Sequence, residues 1–130
     1  MVYLDTSALA KLVIEDPESA ALRDVLSSGG ERSRITSALA RAELLRAAQR
    51  RGEPAVDKAR DVLDTLAEIT LIQALLDRAG ALAPAELRTL GAIHLASVLE
   101  LGGELQHLIT YDRRMLEAAR SLGVPTLAPA

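Results

Sequence analysis

The sequence predicts an α/β fold, a three-layer αβα sandwich around a short, mainly parallel central sheet, built as a single domain over residues 1–130. Three observations carry this expectation. Short runs of almost wholly apolar residues recur along the chain, as strands buried on both faces do. Helical text separates each run from the next, as crossovers between parallel strands require. A chain of 130 residues buries roughly two thirds of its unfolded surface, enough for one core without a disulfide or structural metal.

Taken in order, Val2-Tyr3-Leu4 reads as the first strand, ended by the polar Asp5-Thr6-Ser7, which can cap a helix from Ala8 to Ile14. Asp16-Pro17-Glu18 has the form of an N-cap, a proline at the first helical position and an acidic first turn. The helix it opens stops at Ser27-Ser28-Gly29-Gly30. Arg34-Ile35-Thr36 is the second strand, with a β-branched centre. From Ser37 the text is helical as far as Gly52, and Pro54 opens another helix to about Ala67, with Val56, Ala59, Val62, Leu63 and Leu66 as its apolar stripe. Glu68 to Ile72 is the third strand. A helix from Gln73 to Ala83 breaks at Pro84 and resumes near Leu87 or Thr89, ending at Leu101 before Gly102-Gly103. Leu108-Ile109-Thr110 is the fourth strand, Asp112 caps a helix to Leu122 that Gly123 ends, and Val124 to Leu127 is the last strand.

Composition narrows the function classes. With no cysteine and two histidines, disulfide scaffolds, thiolate zinc sites, cysteine nucleophiles and His-rich metal sites are excluded. The formal charge of −3, from 15 Lys+Arg against 18 Asp+Glu, leaves no global field to draw in nucleic acid. A polyanion-binding surface has to be local or made by metal ions. Tyr3 and Tyr111 are the aromatic residues, too few for the stacking platforms of single-strand binders. The opening residues lack a basic segment followed by an apolar stretch, and no uncharged apolar run approaches about 18 residues. Neither a signal peptide nor a membrane span is expected, and the expected compartment is the cytoplasm.

Open parallel sheets bind ligands beyond the carboxyl ends of their strands, so the acids placed there matter most. Asp5 follows the first strand, Asp112 follows the fourth, and Glu43 stands about two turns into the helix after the second. Carboxylates gathered at one edge repel each other unless hard cations neutralise them. Mg²⁺ and Mn²⁺ accept such carboxylate-and-water shells and can hold phosphate oxygens in turn. Each acid also has a plain structural reading: Asp5 and Asp112 as helix caps, Glu43 as the ion-pair partner of Arg46. Capping and metal binding are compatible, because an aspartate has two oxygens. Glycine loops that cradle phosphate are absent, since Gly29-Gly30 and Gly102-Gly103 are isolated breakers. Ser7 stands where haloacid-dehalogenase-type phosphatases need a second aspartate, and Thr70-Leu71-Ile72-Gln73 lacks the phosphoacceptor of a receiver domain.

Four segments occur together and in order: Tyr3-Leu4-Asp5-Thr6-Ser7-Ala8-Leu9, Ser37-Ala38-Leu39-Ala40-Arg41-Ala42-Glu43-Leu44, Leu87-Arg88-Thr89-Leu90-Gly91-Ala92-Ile93-His94-Leu95-Ala96 and Leu108-Ile109-Thr110-Tyr111-Asp112-Arg113-Arg114-Met115. Together they closely resemble the PIN-domain ribonucleases, specifically the VapC toxins of toxin–antitoxin pairs, over essentially the whole chain. The resemblance implies an acidic cluster that binds Mg²⁺ or Mn²⁺ and cuts RNA, leaving a 5′-phosphate and a 3′-hydroxyl. It assigns Asp5, Glu43 and Asp112 to that cluster, and Thr6 and Thr110 to the hydroxyls that orient a carboxylate or a water. It further implies a homodimer, an antitoxin that lays a segment across the acidic cleft, and operator DNA reached only through that antitoxin. Gly91 departs from the pattern, for the family usually carries an aspartate there. A chain lacking that acid is expected to bind one metal weakly and to cleave RNA poorly.

Arg41, Arg46, Arg50 and Arg51, with Arg113 and Arg114, are candidates for a basic rim against RNA phosphates, Arg46, Arg50 and Arg113 foremost. The bland reading of the same residues is a solvated helix face. His94, between Ile93 and Leu95, reads as a packed residue or one that acts through a neighbour, and His107 as an exposed loop residue. The rival function belongs to another class: a catalytically silent PIN fold that serves as the antitoxin's binding partner.

Overall fold

The computed structural model describes residues 1–28, 30 and 32–130. Its sheet comprises β1 (Val2–Leu4), β2 (Arg34–Ser37), β3 (Ala67–Ile69), β4 (His107–Ile109) and β5 (Thr126–Leu127), in the spatial order β3-β2-β1-β4-β5. Every pairing is parallel. The helices are α1 (Thr6–Val13), α2 (Ser19–Ser27), α3 (Ala38–Gln49), α4 (Glu53–Asp64), α5 (Gln73–Gly80), α6 (Thr89–Leu101) and α7 (Arg113–Ser121).

Side chains of a strand alternate between faces, and that alternation divides the core. Val2 and Leu4 of β1 pack on one side with Leu9 of α1, Leu22 of α2, Leu44 of α3 and Leu63 of α4. Tyr3, between them, faces the other side and joins Leu95 and Val98 of α6 and Met115 of α7. Leu108 and Ile109 of β4 split the same way. Both faces of the sheet are therefore covered by helices, as a parallel sheet requires. The small residues Ala79, Ala92 and Ala96 let α5 lie closely against α6, with Leu75 filling the seam.

Several boundaries differ from the expected ones, each for a local reason. The first helix begins at Thr6 rather than Ala8, because the Asp5 carboxylate accepts the Ala8 amide and closes the turn earlier. Asp16 does not cap α2: its Oδ1 accepts the Glu18 amide at 2.9 Å, which holds a tight turn through Pro17, and the helix starts at Ser19. The third strand is Ala67–Ile69 rather than residues 68–72, since Ser37↔Ile69 is the last pair before β2 gives way to α3. Beyond it the extended chain has no ladder to join. The helix expected to reach Ala83 stops at Gly80. His107 is not a loop residue: it opens β4 opposite Val2 and is half-buried. Gly123 takes φ +75° at the end of α7, a left-handed turn where glycine carries no Cβ penalty. Of the expected Gly29-Gly30 breaker, Gly29 lies outside the described residues and Gly30 takes φ +83°.

Candidate active site

Because β1, β2 and β4 run in parallel, the residues that follow them emerge at one edge. There the chain forms a cleft of about 590 Å³ lined by Asp5, Glu43 and Asp112 together with Thr6, Ser7, Gly91 and His94. Asp5 and Asp112 are the N-caps of α1 and α7, so the structural reading of each holds. Capping leaves Asp112 with a second oxygen: Oδ1 accepts the amides of Arg114 and Met115, and no hydrogen bond among the described residues reaches Oδ2.

Asp5 is 2% exposed. Its Oδ1 accepts from Ser7 Oγ at 2.6 Å and from the Ala8 amide at 3.0 Å, and its Oδ2 accepts from Thr110 Oγ1 at 2.5 Å. Burial pushes this carboxyl above the usual aspartate range, and the hydrogen bonds from Ser7 and Thr110 offset that only in part. Among the described residues no ion pair reaches Asp5 or Asp112. Thr110 Oγ1 also accepts the Asp112 amide at 3.1 Å, so one hydroxyl ties the two aspartates together.

Glu43 projects from α3 into the cleft and is half-buried. Oε1 accepts from Thr6 Oγ1 at 2.6 Å and from His94 Nε2 at 2.8 Å, because a carboxylate can only accept. Burial pushes the carboxyl up, but the bonds from His94 and Thr6 outweigh it and hold the group below the usual glutamate range. The surface pairing of Glu43 with Arg46 is not found among the described residues.

Gly91 is the third residue of α6 and lines the cleft, so it lies in a first turn rather than a helix interior. A Cβ added there meets Leu87 Cδ1 at 3.2 Å and Met115 Cε at 3.8 Å. Where the pattern calls for an acid, this cleft has a leucine side chain leaning over bare backbone.

The basic rim departs from the expected one. Arg88, Arg113 and Arg114 line the cleft, whereas Arg46 on α3 and Arg50 at its C-cap are exposed and do not. The reason is the crossover geometry: α3 runs back toward the opposite edge of the sheet, carrying Arg46 and Arg50 about 4.5 Å and 10.5 Å beyond Glu43 along the axis. Arg41 is occupied with Glu68 at 2.8 Å. Sequence reasoning assigned no role to Arg88, which the start of α6 turns into the cleft, and took Ser7 only for a turn residue. The adjacency of Ser7 to Asp5 was the available signal.

A parallel five-stranded sheet with acids gathered beyond its strand ends defines an α/β protein with an acidic cleft at the strand edge, and comparison with known proteins names its family. The profile of the PIN domain matches residues 2–121. Ribonuclease VapC46 of Mycobacterium tuberculosis H37Rv is 47% identical over 129 residues, covering 99% of this chain and 98% of that one. Ribonuclease VapC47 of Mycobacterium tuberculosis CDC 1551 is 42% identical over 132 residues, covering 99% and 97%. The chain belongs to the PIN-domain family, in the group that carries the VapC ribonuclease name. Two solved structures share the fold. Mycobacterium tuberculosis VapC20, described as a toxin cleaving the sarcin-ricin loop, aligns with a TM-score of 0.79 at 18% identity, covering 99% of this chain and all of that one. A toxin-antitoxin complex from Klebsiella pneumoniae aligns with a TM-score of 0.75 at 22% identity, covering 100% and 98%.

Proposed function

We propose that the chain is a Mg²⁺- or Mn²⁺-dependent endoribonuclease, the toxin of a toxin–antitoxin pair, acting in the cytoplasm and weakened by Gly91. The observation that carries this reading is the convergence of Asp5, Glu43 and Asp112 on one cleft that also presents Arg88, Arg113 and Arg114. Among the described residues no three acids or histidines form a ready-made metal cage. The donor set suits instead a hard cation that keeps most of its water and takes one or two carboxylates, as Mg²⁺ does. Asp5 and Asp112 would hold it, since Thr110 ties them together and no ion pair among the described residues reaches either. When bound, the cation makes a water more acidic and offsets the charge that builds on the phosphate.

The protein's own groups do the rest. Glu43, anchored through Oε1, offers Oε2 to the cation or to the attacking water. Arg88, Arg113 and Arg114 meet the phosphates on either side of the scissile bond. Attack on phosphorus releases the 3′-hydroxyl and leaves a 5′-phosphate. A cognate antitoxin with an arginine for this acidic cleft, a homodimer, and operator DNA contacted only through the antitoxin complete the proposal.

The test is cleavage of total bacterial RNA in Mg²⁺ or Mn²⁺ by the chain, by Asp5→Asn and by Gly91→Asp. Slow cleavage by the chain, loss with Asp5→Asn or a chelator, and a gain with Gly91→Asp are expected. Undiminished cleavage in chelator, or by Asp5→Asn, defeats the reading. The second reading, a silent antitoxin-binding partner, is favoured by Gly91, which offers the cleft no ligand atom and whose added Cβ would crowd Leu87 Cδ1 at 3.2 Å. Calorimetric titration with Mn²⁺ separates the two, because a silent fold takes up no ion in a carboxylate-dependent way.

A further inference from the structure

A polar chain runs through the core behind Glu43, and the cleavage chemistry above uses only its last link, the His94–Glu43 bond. Tyr3, at the centre of β1, is fully buried, and its hydroxyl lies 2.7 Å from His94 Nδ1. His94 is 3% exposed on α6 and spends its other nitrogen on Glu43 Oε1 at 2.8 Å. We propose that Tyr3 and His94 are positioning residues, a two-step relay that fixes one oxygen of Glu43 and leaves the other to the cleft.

The proton inventory supports a single direction for the relay. A carboxylate only accepts, so His94 Nε2 carries a proton. In the neutral ring Nδ1 is then an acceptor, and the Tyr3 O–H supplies the donor. Other hydroxyls nearby are already committed as donors, Thr36 to the Leu4 carbonyl at 2.7 Å and Ser97 to the Ile93 carbonyl at 2.8 Å. The Tyr3 and His94 rings meet edge to face, with centroids 5.9 Å apart and planes at 82°, so packing fixes the imidazole as well. A phenylalanine fills the apolar part of this space equally well, and the buried hydroxyl is what the sheet centre gains by having tyrosine.

The relay falls where it is needed. Asp5 and Asp112 are short and pinned by helix caps. Glu43 is longer by a methylene and leaves the middle of α3, so its carboxylate has no cap to hold it. Thr6 supplies a second donor at 2.6 Å to the same oxygen. The purpose assigned to the relay rests on the metal-nuclease reading, while its hydrogen bonding does not.

The experiment joins an imidazole ¹⁵N spectrum of the full chain with Mn²⁺ binding followed by electron paramagnetic resonance. The spectrum of His94 should show the proton on Nε2 and an accepting Nδ1, and Tyr3→Phe should abolish the Nδ1 hydrogen-bond shift. His94→Leu should weaken Mn²⁺ binding by about tenfold, the scale of losing a group that orients a ligand. His94→Gln, whose amide can donate to Glu43, should recover most of it, and Tyr3→Phe should fall between. A proton on Nδ1, or glutamine no better than leucine, overturns the relay. Failure of the wild-type chain to take up Mn²⁺ refutes the metal reading instead, and the spectrum alone then decides the relay.

Discussion

At the scale of single residues, the cleft keeps stability and chemistry in tension at Asp5. Its carboxyl is raised by burial, so the folded chain holds that proton more tightly than the unfolded chain does. The associated stability is fully present below the ordinary aspartate range and is lost as pH rises through the raised folded value. Asp5→Asn keeps the cap on Ala8 and removes the buried charge. The metal-free variant should melt higher near neutral pH. It should also lose the downward slope of stability with pH. Calorimetry of both proteins from acid to neutral pH checks this, and a variant that melts lower defeats it. That Asp5 and Asp112 could serve was legible from their places after strands, and Thr6 and Thr110 from the family pattern. Which oxygen each hydroxyl would take was not, because that depends on rotamers that packing alone decides.

At the scale of elements, α6 carries Gly91, on which the proposed weakening turns. Gly91 lies in the first turn of the helix, where a carboxylate interacts favourably with the helix dipole. Gly91→Asp nevertheless adds a fourth negative charge to the cleft and presses Leu87. Without metal the variant should be no more stable than the parent, and Mn²⁺ should raise its melting temperature further than the parent's. An equal Mn²⁺ shift in the two proteins means that the fourth acid adds nothing. Helix α3 makes a contrasting case. Leu44, one residue past Glu43, is 1% exposed in the core, and Leu44→Ala should cost about 3 kcal/mol in denaturant unfolding. Helices were the easiest elements to read, since caps and glycines mark them. The strands are three or four residues long at most, and their ends follow from neighbours that no local text reveals, as β3 demonstrates.

For the molecule as a whole, the parallel arrangement brings together residues separated by more than a hundred positions, and the expected fold class and layer order follow from the alternation of apolar runs and helices. The basic rim was the part least legible, because helical spacing told which face Arg46 and Arg50 share with Glu43 but not that α3 carries them away from the cleft. Charge placement therefore yields a test. Arg88→Ala, Arg113→Ala and Arg114→Ala should each weaken binding of single-stranded RNA and reduce its salt dependence by about 0.7 in the log–log slope. Arg46→Ala and Arg50→Ala should leave both unchanged in the same filter-binding series. Equal losses at Arg46 mean that RNA leaves the cleft along α3.

The sheet order has one more consequence. β1 is synthesised before the other strands of this sheet, yet it ends up in the middle, flanked by β2 and by β4, whose residues begin at His107. Until that late segment has been translated, the earliest strand keeps one hydrogen-bonding edge open and Asp5 has no Thr110 beside it. An interrupted polypeptide is thus both sticky and incomplete: it exposes an unpaired apolar ribbon to its neighbours, and it lacks one wall of the acidic cleft.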